Sequence, residues 1–275
     1  MKQSGILSPL FYNVYVDELM CQLMKAKLGC SIDGHYYGSI FYADDIILLG
    51  ASVRKVKKMI SLCTDYCKMY GININPSKTK WMCTDVYGCS KDVVFEINDI
   101  ILENTGQSIK YLGVSLCMHR KRLSVDIDER IRKFNMASYA VLLNSNGLSE
   151  VVKCELISKK CVPILLYGLG AVDTGDDELY RLHIAYRKIY RFIFKLPLRS
   201  HVSELLSVFS ILPVKTLIDN KHSNIIKASS GSTFDDLQYL AMRVSAAWSL
   251  RLCNVSCMCD ELSLCCIYFV MLLCL

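Results

Sequence analysis

The spacing of apolar positions changes several times along the first 120 residues, and each change predicts an element. Residues 9–28 read as a helix: Pro9 sits where a first-turn proline is tolerated, Ser8 is a candidate N-cap, and Leu10, Asn13, Val14, Val16 and Leu19 form a mostly apolar face. The stretch GCSIDGHYYGSIFYADDIILLG alternates short β-prone runs with glycine. Asp33-Gly34 within it is a hairpin signal, and Ala43-Asp44-Asp45 separates the β-prone halves Ile40–Tyr42 and Ile46–Leu49. Ser52 is placed to cap a second helix, in which Val53, Val56, Ile60, Cys63 and Cys67 recur at helical spacing. Arg54, Lys55, Lys57 and Lys58 fill its other face, and Gly71 stops it. ININPSKTKWMC returns to extended structure around Pro76, and Phe95–Leu102 and Ile109–Leu116 read as two further strands.

From about Ser124 the chain reads as mostly helical. In Leu179–Leu196 the residues Leu179, Leu182, Tyr186, Ile189, Ile193 and Leu196 step by three and four, while Arg181, Arg187, Lys188, Arg191 and Lys195 take the remaining face. A boundary is expected near residue 118. A second is expected near Ser229, where SSGSTFDD is polar and linker-like.

Two adjacent aspartates stand out in this pattern, because GSIFYADDIILLG is otherwise apolar and holds no basic residue to pair them. An isolated buried carboxylate is costly, so such a pair calls for an external cation, exposure at a tight turn, or both. Alternate strand residues face opposite ways, so Asp44 and Asp45 approach one locus only if the chain turns there. On the residues alone two readings stay open: hard oxygen ligands for Mg²⁺ in two-metal phosphoryl transfer, or two solvated turn aspartates.

Composition changes this picture little. The 275 residues are 52% apolar, enough for a substantial core, and the net charge of +6 with pI near 8.5 is compatible with an anionic partner. Fifteen cysteines without a secretory signal read as reduced intracellular thiols in the core. A zinc site at Cys253, Cys257 and Cys259 is the alternative. The apolar tail LCCIYFVMLLCL is twelve residues long, short of the roughly 20 of a membrane span, so a buried or aberrant tail is expected rather than an anchor.

FYADD resembles the aromatic-x-Asp-Asp hairpin of reverse transcriptases, and three other segments fit the same family in the same order. KQSGILSPLFYNVYVDEL resembles its motif B, a glycine-containing turn and Ser-Pro-opened helix. GININPSKTK is similar to its motif D, and IKYLGV to its primer-grip segment. The kind resembled is that of non-LTR, LINE-like retroelements; KKCVPILLYGLG and the basic helix after it are similar to the region beyond the polymerase in such elements. The resemblance implies an α+β fold, a partial right-hand polymerase palm of antiparallel strands with helices (1–118). A mostly helical thumb-like region (119–228) and a linker with an apolar, Cys-rich tail (229–275) would come after it.

The family's reaction is RNA-templated DNA synthesis, and the resemblance assigns roles to particular residues. Asp44 and Asp45 would hold Mg²⁺, Tyr42 would lie beneath the primer end, and Gln3 and Gly5 would stand near nucleotide and template. Lys78 would donate a proton to the pyrophosphate leaving group, or be a solvated loop lysine. Tyr111, Leu112 and Gly113 would grip the primer, or form a plain strand and turn. Arg187, Lys188 and Arg191 would touch phosphate, or form a solvated face. RNA template, DNA primer and deoxynucleotides are the implied partners, inside the cell in nucleus or cytoplasm, with no secretion.

Two departures from the family pattern shape the expectation. Ser4 stands where the family carries glycine. The sequence opens at the motif B-like stretch, so the family's other metal-binding aspartate, which comes from an upstream strand, has no counterpart. Asp17, Glu18 and Asp33 do not replace it. The resemblance therefore implies an incomplete metal site, an inactive amino-truncated fragment, and an unpaired sheet edge beside the Asp-Asp hairpin. The alternative is a non-catalytic nucleic-acid-binding remnant.

Overall fold

The computed structural model describes residues 7–32, 35–83, 93–106, 108–119, 122–230 and 268–273. They fall into two compact units: the described parts of Met1–Ile109, Met118–Arg122 and Met258–Leu275, and those of Lys110–Cys117 and Leu123–Cys257.

The first unit opens with helix α1 (Ser8–Lys25), with Pro9 in its first turn and Leu7, not Ser8, at the N-cap. Its inward face also differs from expectation. Val16, Leu19 and Leu23 are buried, whereas Leu10 and Val14 are 60% and 67% exposed. Two-residue strands β1 (Ser31–Ile32) and β2 (His35–Tyr36) pair antiparallel, and then the main sheet begins. Strand β3 (Ser39–Tyr42) turns into β4 (Asp45–Gly50), where Ile46, Leu48 and Gly50 are buried and the alternate residues half-buried. That period of two sets one face of β4 on the core.

Helix α2 (Val53–Met69) comes next, as expected. The Ser52 side chain accepts from the Lys55 N–H, and Val56, Met59, Ile60, Cys63, Tyr66 and Cys67 are buried. Gly71 ends it with φ +67°, a conformation glycine adopts without cost. The α2 stripe packs with Leu19, Leu23, Ile46, Leu48 and Trp81 into one core. Each such side chain contributes about 1.5–3 kcal/mol of burial.

After Pro76 the chain makes a turn held by Asn75, whose side-chain oxygen accepts from the Ser77 and Lys78 N–H groups, and then enters β5 (Lys80–Cys83). Trp81 on β5 is fully buried, donates from Nε1 to the Leu102 carbonyl, and meets Phe95 edge-on. Phe95–Leu102 is not one strand. It folds into a hairpin of β6 (Glu96–Ile97) and β7 (Ile100–Ile101), because Asn98 and Asp99 both take positive φ, which Asn and Asp tolerate better than most residues. Strand β8 (Glu103–Asn104) then runs parallel to β5.

Ile109–Leu116 is likewise a hairpin, β9 (Ser108–Tyr111) and β10 (Val114–His119), turned at Leu112 and Gly113 with φ +45° and +77°. Strand β11 (Arg122–Val125) adds to β10. The remaining described residues of the second unit are mostly helical: α3 (Ile127–Leu143), α4 (Glu150–Leu156), a π turn (Ile157–Cys161), α5 (Val162–Leu165), α6 (Asp176–Ile193), α7 (Ser203–Val208) and α8 (Val214–Ser230). Phe134, Leu165, Leu182, Tyr186, Ile189 and Tyr190 are among its core. Helix α8 runs through Ser229 to Ser230, into the start of the stretch expected to be a linker. Mixed α and β with a helical second part is the expected fold class.

The apolar tail brings the main correction. Residues Tyr268–Leu273 form strand β12, and the main sheet runs β3-β4-β12-β5-β8. Strand β4 is therefore paired on both sides and is not an edge. No described helix is long and apolar enough to cross a membrane.

Candidate functional site

Tyr42 and Asp45 are Cα partners in the β3–β4 register, so Ala43 and Asp44 alone make the connection. A two-residue connection whose first residue alone has positive φ matches the II′ hairpin turn, which favours glycine there. Here Ala43 adopts φ +50°. A non-glycine residue in that region is strained, and strain of this kind gathers at functional sites.

The turn brings Asp44 and Asp45 to one tip, Asp44 exposed and Asp45 half-buried as the first residue of β4. Burial pushes the Asp45 carboxyl above its usual range, and the neighbouring Asp44 charge adds to the effect. Neither carboxylate has an ion-pair or hydrogen-bonding side-chain partner among the described residues. An unneutralised like-charge pair of hard oxygens suits a dication. Two ligands are the extent of what is assembled: no group of three or more His, Cys, Asp or Glu side chains comes together among the described residues. Tyr42, 59% exposed, lies across the register from Asp45 and presents its ring beside the tip.

The other sequence-predicted residues lie elsewhere. Lys78 is exposed in the Asn75-held turn before β5. Gln3 and Gly5 lie outside the described residues, as do Cys253, Cys257 and Cys259. Buried Cys63 and Cys154 are free thiols whose ionisation burial pushes upward, Cys154 to about 11, so both pack as small apolar groups.

On α6 the basic residues are partly committed. Arg187 donates to the Ser203 hydroxyl at 2.6 Å and Arg191 to the Ser200 carbonyl at 2.9 Å, while Lys188 is exposed. Two of the three cations expected at phosphate therefore fasten the loop after α6.

Tyr111, Leu112 and Gly113 form the β9–β10 turn, and two residues that the sequence did not single out hold it. Arg130 is 2% exposed and donates to the Gly113 carbonyl at 2.9 Å, and Tyr167 donates to the Leu112 carbonyl at 2.9 Å. The Arg130 guanidinium lies 5.7 Å from the Tyr167 ring centre. Glu129 alongside is held down to about 2 by hydrogen bonds from Lys133 and Ser115, with Lys133 and Arg130 charges helping. A signal for Arg130 existed in the sequence: it lies three residues after Ile127 and four before Phe134, in the apolar stripe of α3.

Comparison with known proteins agrees with the motifs. Residues 1–116 match the family described as "Reverse transcriptase (RNA-dependent DNA polymerase)". The chain is similar to the Retrovirus-related Pol polyprotein from type-1 retrotransposable element R2 of Popillia japonica, 25% identical over 176 residues, covering 62% of this chain and 24% of that protein. It is similar also to the Probable RNA-directed DNA polymerase from transposon BS of Drosophila melanogaster, 28% identical over 215 residues, covering 71% of this chain and 22% of that protein. This chain thus spans about a quarter of the length of these relatives. Residues 1–116 are thus similar to the reverse transcriptase family, and the chain as a whole is similar to part of these retroelement polymerases.

Proposed function

We propose that the chain is part of an RNA-directed DNA polymerase of a retroelement, and that Asp44 and Asp45 hold Mg²⁺ for template-directed nucleotidyl transfer. One observation carries this reading: two adjacent carboxylates at the tip of a strained two-residue turn, with no cation partner among the described residues. Asp44 and Asp45 would hold Mg²⁺, which would supply charge neutralisation at the transferring phosphoryl group and activation of the attacking hydroxyl.

The chain's own groups do the positioning. Asp44 offers exposed oxygens at the tip, and Asp45 anchors the second carboxylate to β4. Tyr42 offers a flat surface beside them on which the primer end can rest. The exposed Lys78 ammonium is the proposed proton donor to pyrophosphate. RNA template, DNA primer and deoxynucleotides are the proposed partners, in the nucleus or cytoplasm.

Alone, the chain does not polymerise. Among the described residues the tip gathers two carboxylates, fewer than a two-ion site requires. The test joins Mn²⁺ binding to primer extension on poly(rA)/oligo(dT). Weak Mn²⁺ binding that disappears in Asp44→Asn and Asp45→Asn is expected, with no templated incorporation. Binding indifferent to both substitutions removes the metal assignment. Incorporation that Asp44→Ala abolishes removes the inactivity.

A further inference from the structure

Helices α6 and α7 enclose a cavity of about 90 Å³, wholly within the second unit. His183 and Arg187 line it from α6, and Ser203 and Ser207 from α7. Its inner end is apolar: Leu206 and the Tyr186 ring are buried, and the Tyr186 hydroxyl is already committed to the Leu212 carbonyl at 3.1 Å. The two serines are exposed and stand at the mouth. Sites for small organic ligands run to about 300–1,000 Å³, so a nucleoside does not fit here, whereas a group of a few heavy atoms does.

The polar wall is one-sided in charge. A guanidinium and an imidazole line the cavity, and among the described residues no carboxylate does. Arg187 donates to the Ser203 hydroxyl at 2.6 Å, which leaves most of its N–H groups for another acceptor. Ser203 accepts in that bond, so its own O–H remains able to donate. Ser207 instead donates to the Glu204 carbonyl and serves as wall. Burial holds the His183 imidazole below its ordinary value, and the charges of Arg187 and Arg191 add to the effect. An anion in the cavity would offset that repulsion.

We propose that this cavity is a pocket for a single phosphate monoester, held by Arg187, Ser203 and His183, with its one ester substituent leaving past Ser207. The closed apolar end sets the preference. A monoester presents its unsubstituted oxygens inward and keeps its substituent in solvent, whereas a diester would have to pass a second substituent through Leu206 and Tyr186. The bond between Arg187 and Ser203 then has a purpose beyond fastening a loop: it fixes a long, rotamer-rich side chain before the anion arrives, so less ordering is left to binding. The pocket goes beyond the polymerase reading and does not depend on Asp44 and Asp45, which belong to the first unit.

The test is calorimetric titration of the full chain with inorganic phosphate at constant ionic strength, with dimethyl phosphate as the diester. Phosphate should bind saturably, and dimethyl phosphate at least tenfold more weakly. Arg187→Gln should weaken phosphate binding at least tenfold, the loss of about 1.4 kcal/mol expected when one charge-assisted hydrogen bond goes. Lys188→Gln, exposed on the same helix and outside the cavity, should change it less than twofold. If Arg187→Gln does not fold, Ser207→Asp gives the answer from an exposed position, because a carboxylate at the mouth should abolish binding. No phosphate binding by the parent overturns the proposal. So does binding that survives both Arg187→Gln and Ser207→Asp. Equal losses in Arg187→Gln and Lys188→Gln assign the effect to diffuse surface charge, and equal affinity for dimethyl phosphate removes the closed end; either overturns the pocket. A terminally phosphorylated oligonucleotide and its hydroxyl-ended twin identify the source of the group. A preference for the phosphorylated strand that Arg187→Gln abolishes assigns a strand end. Phosphate binding without that preference assigns free phosphate.

Discussion

Arg130→Ala should cost the second unit about 2–4 kcal/mol, and the structure supplies the parts of that figure. The guanidinium is buried and donates to the Gly113 carbonyl at 2.9 Å. A hydrogen bond from a charged donor contributes about 1.5–3 kcal/mol, and its loss leaves that carbonyl without this donor. The contact with the Tyr167 ring adds about 0.5–1 kcal/mol. Glu129 limits the damage: Arg130 is its longer ion pair at 3.6 Å, and Lys133 remains at 2.7 Å, so the carboxylate is not stranded. Arg130→Met keeps much of the packing volume and should cost less than alanine, since it leaves a smaller cavity. Tyr167→Phe removes only the bond to Leu112 and should cost about 0.5–1.5 kcal/mol. Because both side chains hold one turn and touch each other, the double variant should fall short of the sum by about 0.5–1.5 kcal/mol. Urea unfolding of the parent and these variants gives the energies, and amide exchange across residues 110–117 shows whether the turn loosens first. Unchanged exchange at Leu112–Ser115 in Arg130→Ala, with an unchanged unfolding midpoint, refutes the clamp.

Gly29 has φ +99°, and a Cβ there would stand 2.5 Å from the Gly38 Cα and 2.9 Å from the Leu49 carbonyl, both backbone atoms. Gly29→Ala should therefore destabilise the first unit by about 2–3 kcal/mol, read as a fall in the unfolding midpoint, whereas Gly71→Ala meets no neighbouring atom and should pay only its positive φ, about 1 kcal/mol. Glu129 has a folded-state value of about 2 against an ordinary 4.5, so it binds fewer protons folded than unfolded at intermediate pH. Its stabilisation is complete above pH 4.5 and is lost as pH falls toward 2; Glu129→Gln should flatten that part of the stability–pH curve, and an unaltered curve refutes the assignment. Asp45 has the opposite sign: its raised value makes the folded state gain from protonation, so Asp45→Asn should remove a component of stability that weakens as pH rises through the Asp45 value.

Where an element is local, the sequence reveals it. Ser52, the stripe through Val56, Ile60, Cys63 and Cys67, and Gly71 define α2 without help from distant residues, and the helix runs from Val53 to Met69. The Ala43–Asp44 turn is local in the same sense, since β-prone runs on both sides of two aspartates leave the chain little else to do. Where two signals compete, the sequence misleads. NDII and YLGV look like continuous strand because their apolar residues dominate, yet Asn98, Asp99, Leu112 and Gly113 all take positive φ and reverse the chain. In α1 the sequence offers apolar residues on more than one face. Only packing against the core that includes α2 selects Leu19 and Leu23 over Leu10 and Val14.

The site itself divides along the same line. Asp44 and Asp45 are legible because their chemistry contradicts their surroundings, a conflict between neighbours in sequence. Arg130 and Tyr167 contradict theirs as well, a charge in an apolar helical stripe and a tyrosine whose hydroxyl serves a turn 55 residues away, but the partner that explains each is remote. Strand β12 is the extreme case. An apolar run of six residues carries no mark of which strand it will join, and more than 180 residues separate it from β5. What the sequence did contain was the demand: β4 has a buried face and a pair of aspartates at one end, and a strand so placed needs a neighbour on each side. The expectation of an open edge there is overturned by the pairing of β4 with β12. The tail, taken by itself, shows only an apolar run. Joining the two observations requires the register, and the register is what turns an unexplained apolar terminus into a statement about which residue stands opposite Asp45.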